Sequence, residues 1–339
     1  MATTGTADVR PVDVGALFRD ELREQLVQRR QCLQQALSRG QAVSAVRLLE
    51  QVDQALTRLD AGSLGICELC HTPVETDRLI ADPLVRFCID HLPQEKQRAL
   101  EADLELAARL QSRLLPPKDF HFAGWRVAYH YQPAGIVSGD YCDLATTAEG
   151  ALYFALADVS GKGVAASLLM SNLSAMFRTL APLGIPVAEL MSHANRVFCE
   201  STLPTQYATV VVGKAMPDGV VEFANAGHLE PLIVGSNSVT RIPSTGLPIG
   251  LFRDEPVKSA TMRMEREEVL VLYSDGITET SSAADEEYGA ERLARIVAHC
   301  RAQSPDEHVA RCIADLAAFR GHGPQADDET LMVLQRADS

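Results

Sequence analysis

At 339 residues the chain is longer than a single domain of about 100 to 200 residues requires, and its 46% hydrophobic content is ample for a packed core, so one large domain and a smaller one are expected. Lys and Arg total 31 against 45 Asp and Glu; the resulting net charge of −14 repels nucleic-acid phosphate and argues against direct DNA or RNA binding. The longest run without a charged residue, Gly163 to Phe177, contains Ser and Asn and falls short of the roughly 20 apolar residues that span a bilayer, so no membrane span is expected. The opening MATTGTADVR lacks the basic-then-apolar pattern of a secretory leader, which points to a reducing cytoplasm. The eight cysteines are therefore not read as four disulfides.

In chain order, residues 1–14 read as a flexible N-terminus. Residues 15–60 carry two helical runs, Leu17, Leu22, Leu26, Leu33, Leu37 and then Val46, Leu49, Val52, Leu56, Leu59, which meet at Ser38–Gln41 and predict a helical hairpin. From 61 to 93 the periodicity stops, cysteines cluster and Pro73, Pro83 and Pro93 punctuate a small loop-rich module. A linker helix is expected within 94–116, where Leu100, Leu104, Ala107, Leu110 and Leu114 recur at helical spacing before Pro116-Pro117. Beyond it, 117–337 reads as an α+β domain. Its β-runs are Trp125–Tyr131, Leu152–Val159, Ala208–Lys214, Val220–Ala224, Val269–Ser274 and Thr330–Gln335, with helices near 163–180, 187–201, 288–301 and 306–319. Residues 1–94 account for only −3 of the net charge, so the acidic excess sits with the linker and the larger domain.

Cys67-x2-Cys70 and Cys88-x2-His91, separated by 17 residues, supply four donors in two knuckles, the tetrahedral set that Zn²⁺ prefers. His71 could compete as a ligand, but its position suits a knuckle turn better. A closed four-ligand site is structural, with no open coordination position for chemistry. The hairpin followed by Gly65–Cys70 and Phe87–His91 resembles the zinc-finger proteins of the DksA/TraR family, over roughly residues 40–93. Two departures stand out: His91 replaces the more usual cysteine, and the tip from Ser38 to Arg47 carries Arg39 and Arg47 but no acid, whereas family members that enter the RNA polymerase secondary channel are expected to present an acidic tip.

Four acidic motifs punctuate the larger domain: Ser138-Gly139-Asp140-Tyr141-Cys142-Asp143, Ala157-Asp158-Val159-Ser160-Gly161-Lys162-Gly163, Ser274-Asp275-Gly276 and Asp327-Asp328-Glu329-Thr330. Taken singly, an Asp-Gly pair is a turn. Together, carboxylates at the ends of buried strands are costly in desolvation and mutual repulsion unless cations neutralise them, and oxygen-only ligands favour Mg²⁺ or Mn²⁺ over Zn²⁺.

Those motifs, with the lead-in Leu110–Pro116, the Ala157–Met170 segment, Asn225-Ala226-Gly227-His228, the Gly246–Gly250 turn and Tyr273–Glu279, resemble the PPM-type (type 2C) serine/threonine phosphatases of the bacterial RsbU/SpoIIE group, from about Leu110 to Gln335. The resemblance implies an α-β-β-α sandwich with two Mn²⁺ or Mg²⁺ ions between the sheets. It further implies Asp158 bridging both ions, the Val159 carbonyl on one, Asp275 and Asp327 on the other, and Asp140 binding directly or through water. Such a pair of ions can hold a bridging hydroxide at neutral pH and clamp the phosphoryl oxygens, so no protein nucleophile is needed. Ser160 stands where eukaryotic relatives carry a His thought to protonate the leaving alcohol. The proton donor is therefore open, and could be water; His228 is tempting as the acid, though a packing role at a strand-end turn suits it better, and Lys162 could offer charge to a phosphate, though a lysine at a helix start is more often solvated.

The function expected is hydrolysis of phosphoserine or phosphothreonine on a phosphoprotein, with a STAS-type anti-anti-sigma factor as the substrate that the resemblance implies. In a second reading the zinc hairpin is a binding module for RNA polymerase or another partner and the phosphatase fold is its scaffold. In a third the N-terminal module senses or dimerises, with a homodimer formed through the linker helix.

Overall fold

The computed structural model describes residues 14–38, 43–91, 94–203, 205–235, 238–266, 268–299 and 303–336. Two compact units are present, Met1–Ala102 and Asp103–Ser339. In the first, α1 (Val14–Ser38) packs on α2 (Val43–Asp60) through Leu26, Val52, Ala55 and Leu59, as the apolar spacing requires. The predicted hairpin tip at 39–41 and the N-terminal 1–13 lie outside the described residues. Leu64 and Leu84 from the following loops pack against the same small core, and Arg29 pairs with Asp82 at 2.8 Å. A short helix α3 (Thr76–Ala81) and one 3-10 turn at Ile89–His91 are the regular pieces of the cysteine segment. Helix α4 (Gln94–Ser112) follows.

The second unit is two antiparallel sheets. Its elements are β1 (Asp119–Phe122), β2 (Trp125–Gln132), β3 (Tyr141–Thr146), β4 (Leu152–Val159), α5 (Val164–Leu180), α6 (Val187–Ser201), β5 (Ala208–Ala215), β6 (Val220–Ala226), β7 (Leu232–Val234), β8 (Val239–Arg241), β9 (Ala260–Arg263), β10 (Val269–Tyr273), α7 (Asp275–Thr278), α8 (Ala290–Ala298), α9 (Pro305–Arg320) and β11 (Glu329–Arg336). Six strands run in the order β1-β2-β11-β10-β7-β8 and five in the order β3-β4-β5-β6-β9.

Period-two alternation explains the layering. Along β4, Leu152, Phe154 and Leu156 point between the sheets, while Tyr153, Ala155 and Ala157 face α5 and α6. Along β10, Leu270 and Leu272 join the inter-sheet core, and Val269, Val271 and Tyr273 face α8 and α9. Helices therefore cover both outer faces, the α-β-β-α sandwich expected. Gly213, opposite Phe154 on β5, leaves the ring its place: a Cβ there would stand 2.0 Å from the ring. The segment Val164–Leu183 is long and apolar enough to cross a membrane by length and composition alone, yet Ala166, Met170, Leu173 and Phe177 on it pack into the core.

The linker stripe divides differently from expectation. Leu114 packs on the core and Leu104 is half-buried, but Leu110 is 61% exposed and Gln111 takes the buried position. At 3.6 residues per turn the inward line of α4 runs through positions 104, 107 and 111, Leu114 continues it just past the helix end, and Leu110 falls off it.

Candidate functional site

Strand register brings the four acidic motifs to one end of the sheets. Tyr141 pairs with Ala157, so Asp140 and Asp158 lie at the same end of β3 and β4. Tyr273 pairs with Leu331, so Asp275 and Asp327 flank the corresponding end of β10 and β11. Two glycines permit the approach. A Cβ on Gly139 would stand 3.0 Å from the Val159 carbonyl oxygen, and one on Gly276 would stand 2.1 Å from the carbonyl oxygen of Asp328, so neither position can carry a side chain without moving backbone.

The electrostatics record how close the carboxylates are. Burial, and then the charge of Asp158, push Asp140 well above the usual carboxylate range against hydrogen bonds from Thr330 and Ser274. Burial and the charges of Asp275, Asp327 and Asp328 push Asp158 up to about 7. Asp275 is raised by burial and by Asp327. The Lys162 ammonium, exposed at the start of α5, reaches Asp327 at 2.9 Å and the Ala326 carbonyl at 3.2 Å. All four sequence-predicted aspartates are thus gathered, with the Val159 carbonyl beside the Gly139 loop. A set of desolvated oxygen donors that repel one another is what hard divalent cations stabilise, so these residues fit Mn²⁺ or Mg²⁺. A groove of about 460 Å³ opens beside them, lined by Leu104, Ala134–Val137, Lys162–Val164 and Gln325–Asp328. A second cavity of about 400 Å³ between α8 and α9, lined by arginines, includes none of the aspartates.

Several functional residues escape sequence reasoning. Asp328 takes no outward position: its carboxylate accepts hydrogen bonds from the amides of Ala134 (2.8 Å) and Gly139 (2.9 Å) and from the Ser138 hydroxyl (2.6 Å), organising the loop that ends in Asp140. Thr330 donates its hydroxyl to Asp140. Arg178 on α5 holds the fully buried Asp143 with two nitrogens, at 2.6 and 3.1 Å. His228, weighed as the acid, is committed to packing. Its Nε2 donates to the Tyr273 carbonyl at 3.1 Å, its Nδ1 therefore accepts from Thr209 at 2.8 Å, and burial holds it down at about 4. Ser160 accepts the Tyr207 amide at 2.9 Å.

In the first unit, the ligand atoms of Cys67, Cys70, Cys88 and His91 lie within 4.8 Å of one another, the one such set among the described residues. Cys70 Sγ is 3.6 Å from Cys88 Sγ, and Cys88 Sγ is 3.1 Å from His91 Nδ1. Tetrahedral bonds of about 2.3 Å place two sulfurs roughly 3.8 Å apart, so the spacing suits one metal ion. Burial raises the Cys67 thiol, but the amides at Cys70, Cys88 and Leu69 and the Cys70 side chain outweigh it and lower it overall, while burial and the neighbouring Cys70 and Cys67 push Cys88 up, as expected of thiols crowded together without a cation. His71, in the left-handed region at φ 58°, turns the knuckle and stays outside the set, as expected.

Comparisons with known proteins agree with this geometry. Residues 148–337, more than half of the chain, match the family Stage II sporulation protein E (SpoIIE). The chain is 28% identical over 246 residues to phosphoserine phosphatase RsbU of Bacillus subtilis, covering 71% of this chain and 72% of that protein. It is 23% identical over 188 residues to phosphoserine phosphatase RsbP of the same organism, where it spans only 46% of the relative. The SiaA-PP2C domain of Pseudomonas aeruginosa superposes with a TM-score of 0.61 at 18% identity, over 72% of this chain and 98% of that domain, and so shares the fold. With the matched segment holding Asp158, Asp275 and Asp327 at one end of a PP2C-type sandwich, the chain belongs to the SpoIIE family and is a protein serine/threonine phosphatase of the RsbU/SpoIIE group.

Proposed function

We propose that the chain hydrolyses phosphoserine or phosphothreonine on a phosphoprotein, with two Mn²⁺ or Mg²⁺ ions held by Asp140, Asp158, the Val159 carbonyl, Asp275 and Asp327. The observation that carries this is the convergence of those donors at one end of the sandwich, supported by the phosphoserine phosphatases RsbU and RsbP among the relatives. When bound, such ions supply a hydroxide at neutral pH and stabilise the charge on the phosphoryl oxygens. The chain's own residues do the rest. Thr330 and Ser274 orient Asp140, Asp328 fixes the loop before it, and Lys162 sets a positive charge on the groove wall where a phosphate must enter. Exposed Ile136 and Val164 on the same groove suit a short segment of a folded protein, and a STAS-type anti-anti-sigma factor is the substrate we propose. The test is phosphate release from p-nitrophenyl phosphate and from a phosphoserine-bearing STAS protein. Release that needs Mn²⁺ or Mg²⁺ and stops with EDTA is expected; no release from either substrate at saturating Mn²⁺ overturns the reading.

For the N-terminal unit we propose one structural Zn²⁺ on Cys67, Cys70, Cys88 and His91 in a DksA/TraR-like module that senses or dimerises. We favour this over RNA polymerase contact because no acid is found between Ser38 and Arg47. We further propose a homodimer through α4, supported by Leu106 (49% exposed) and Leu110 (61%), four residues apart on its uncovered side. Light scattering at tens of micromolar is expected to give a dimer mass for the wild type and a monomer mass for Leu106→Glu plus Leu110→Glu; a monomeric wild type removes the proposal. We also propose a reducing, cytoplasmic setting, in which the thiols of Cys67, Cys70 and Cys88 stay available to hold a metal ion.

A further inference from the structure

Among the described side chains of α4, Gln111 is the only one that is buried, at 5% exposure, and both ends of its amide are used. Its Nε2 donates to the Ser138 carbonyl at 2.7 Å, and its Oε1 accepts the Ser138 amide at 3.0 Å. This closed pair imitates a rung of a sheet ladder, so a helix side chain holds one loop residue by both its backbone groups. Ser138 then passes the position on. Its hydroxyl donates to Asp328 at 2.6 Å and accepts the Asp140 amide at 3.0 Å. A second tie lies just past the helix, where the Arg178 guanidinium donates to the Leu114 carbonyl at 2.6 Å while it grips Asp143. The end of α4 is thereby fastened to the chain on both sides of Asp140, at Ser138 before it and at Asp143 after it.

Neither fastening is what packing alone would select. An apolar residue at position 111 would fill the space without the desolvation cost of an amide, and the two hydrogen bonds return that cost only while Ser138 stays where it is. We propose that Gln111 is a positioning residue for the metal-binding loop: it sets the backbone of Ser138, and through the Ser138 hydroxyl the placement of Asp140 and Asp328, so that metal affinity depends on one side chain of the linker helix. Second-layer hydrogen bonds of this type change metal affinity by about 10 to 100-fold when removed. The proposal rests on the two-metal reading above, and its test separates the two.

The experiment is isothermal titration of Mn²⁺ into the full chain, alongside thermal melts of the metal-free protein, for wild type, Gln111→Leu, Ser138→Ala and Leu114→Ala. Leu114 lies just past the helix and packs its side chain on the core, so Leu114→Ala, which keeps the backbone carbonyl, reports the effect of loosening that packing without touching the loop. Gln111→Leu is expected to weaken Mn²⁺ binding at least tenfold, with kcat recovering toward wild type at saturating Mn²⁺, while Leu114→Ala lowers the melting temperature and leaves Mn²⁺ affinity within twofold. Ser138→Ala leaves the helix intact and is expected to weaken Mn²⁺ as Gln111→Leu does, so the proposal stays testable if Gln111→Leu fails to fold. Wild-type Mn²⁺ affinity in folded Gln111→Leu or in Ser138→Ala overturns the positioning role. A wild-type chain that binds no Mn²⁺ overturns the metal reading itself.

Discussion

Asp158→Asn is expected to abolish Mn²⁺-dependent phosphate release while making the metal-free protein more stable at pH 8. The two effects have one origin. In the metal-free fold Asp158 is held at about 7, against 3.8 for a free carboxyl, by burial and by Asp275, Asp327 and Asp328. A raised carboxyl destabilises the fold when ionised. Below about pH 4 it is protonated in both folded and unfolded chains and costs nothing. Between about 4 and 7 the unfolded chain ionises first and stability falls, and above 7 the full penalty, of order 4 kcal/mol, is in place. Asparagine removes that penalty, so this part of the pH dependence disappears and the melting temperature rises by several degrees. The same substitution takes away the carboxylate proposed to bridge both ions, and turnover drops on the order of 10²–10³-fold or more. Turnover near wild type at saturating Mn²⁺ would sink the two-metal assignment.

Removal of the Zn²⁺ proposed for Cys67, Cys70, Cys88 and His91 is expected to unfold the 61–91 segment, because these residues are much of its core. Its buried apolar residues are Cys67, Val74 and Cys88, with Cys70, Val85 and Phe87 partly covered, too little area to hold so short a stretch folded. Structural zinc contributes about 10–16 kcal/mol in comparable small modules. Chelation, or Cys67→Ser, should open the segment to proteolysis, and it should weaken the hairpin too, since Leu64 and Leu84 pack on the α1–α2 core. Elemental analysis should find one Zn²⁺ per wild-type chain and none in Cys67→Ser. Equal zinc in both, or a chelated protein with unchanged cleavage in this segment, contradicts the assignment.

The residues that were legible in the sequence are those whose neighbours are local or whose burial is uniform. Strand β4 reads correctly over Leu152–Val159 because both faces are buried and the apolar run is continuous, and α6 is legible for its regular apolar spacing. The predicted runs do not include the edge strands β1, β8 and β9, whose residues are exposed or half-exposed so that no apolar pattern marks them, nor β7, whose three buried residues are too few to show a period. Strand β3 was hidden because its first residues belong to an acidic motif that reads as a loop. The four aspartates were legible as a set only through their order and resemblance. The division of labour between Asp327, beside Lys162, and Asp328, which ties the 134–139 loop, depends on contacts far along the chain, the Asp328 ones 190 and 194 positions away. Gln111 lay in the lead-in motif, but nothing in a single helical period shows that one amide is turned inward to hold a distant backbone.

The strand order has a consequence for when the phosphatase can exist during synthesis. Strand β11, the last one described, lies in the middle of its sheet, with β2 on one side and β10 on the other. A ribosome adding about 5 to 20 residues per second has already produced the other described strands before the one that joins the two halves of this sheet. Until it emerges, β2 and β10 are unpaired edges, and Asp327 and Asp328 have not yet reached the loop they organise. The hairpin and cysteine segment can settle while the chain grows, whereas the end of the sandwich that gathers the aspartates is complete only once β11 has emerged, so a product stalled before it is expected to be inactive.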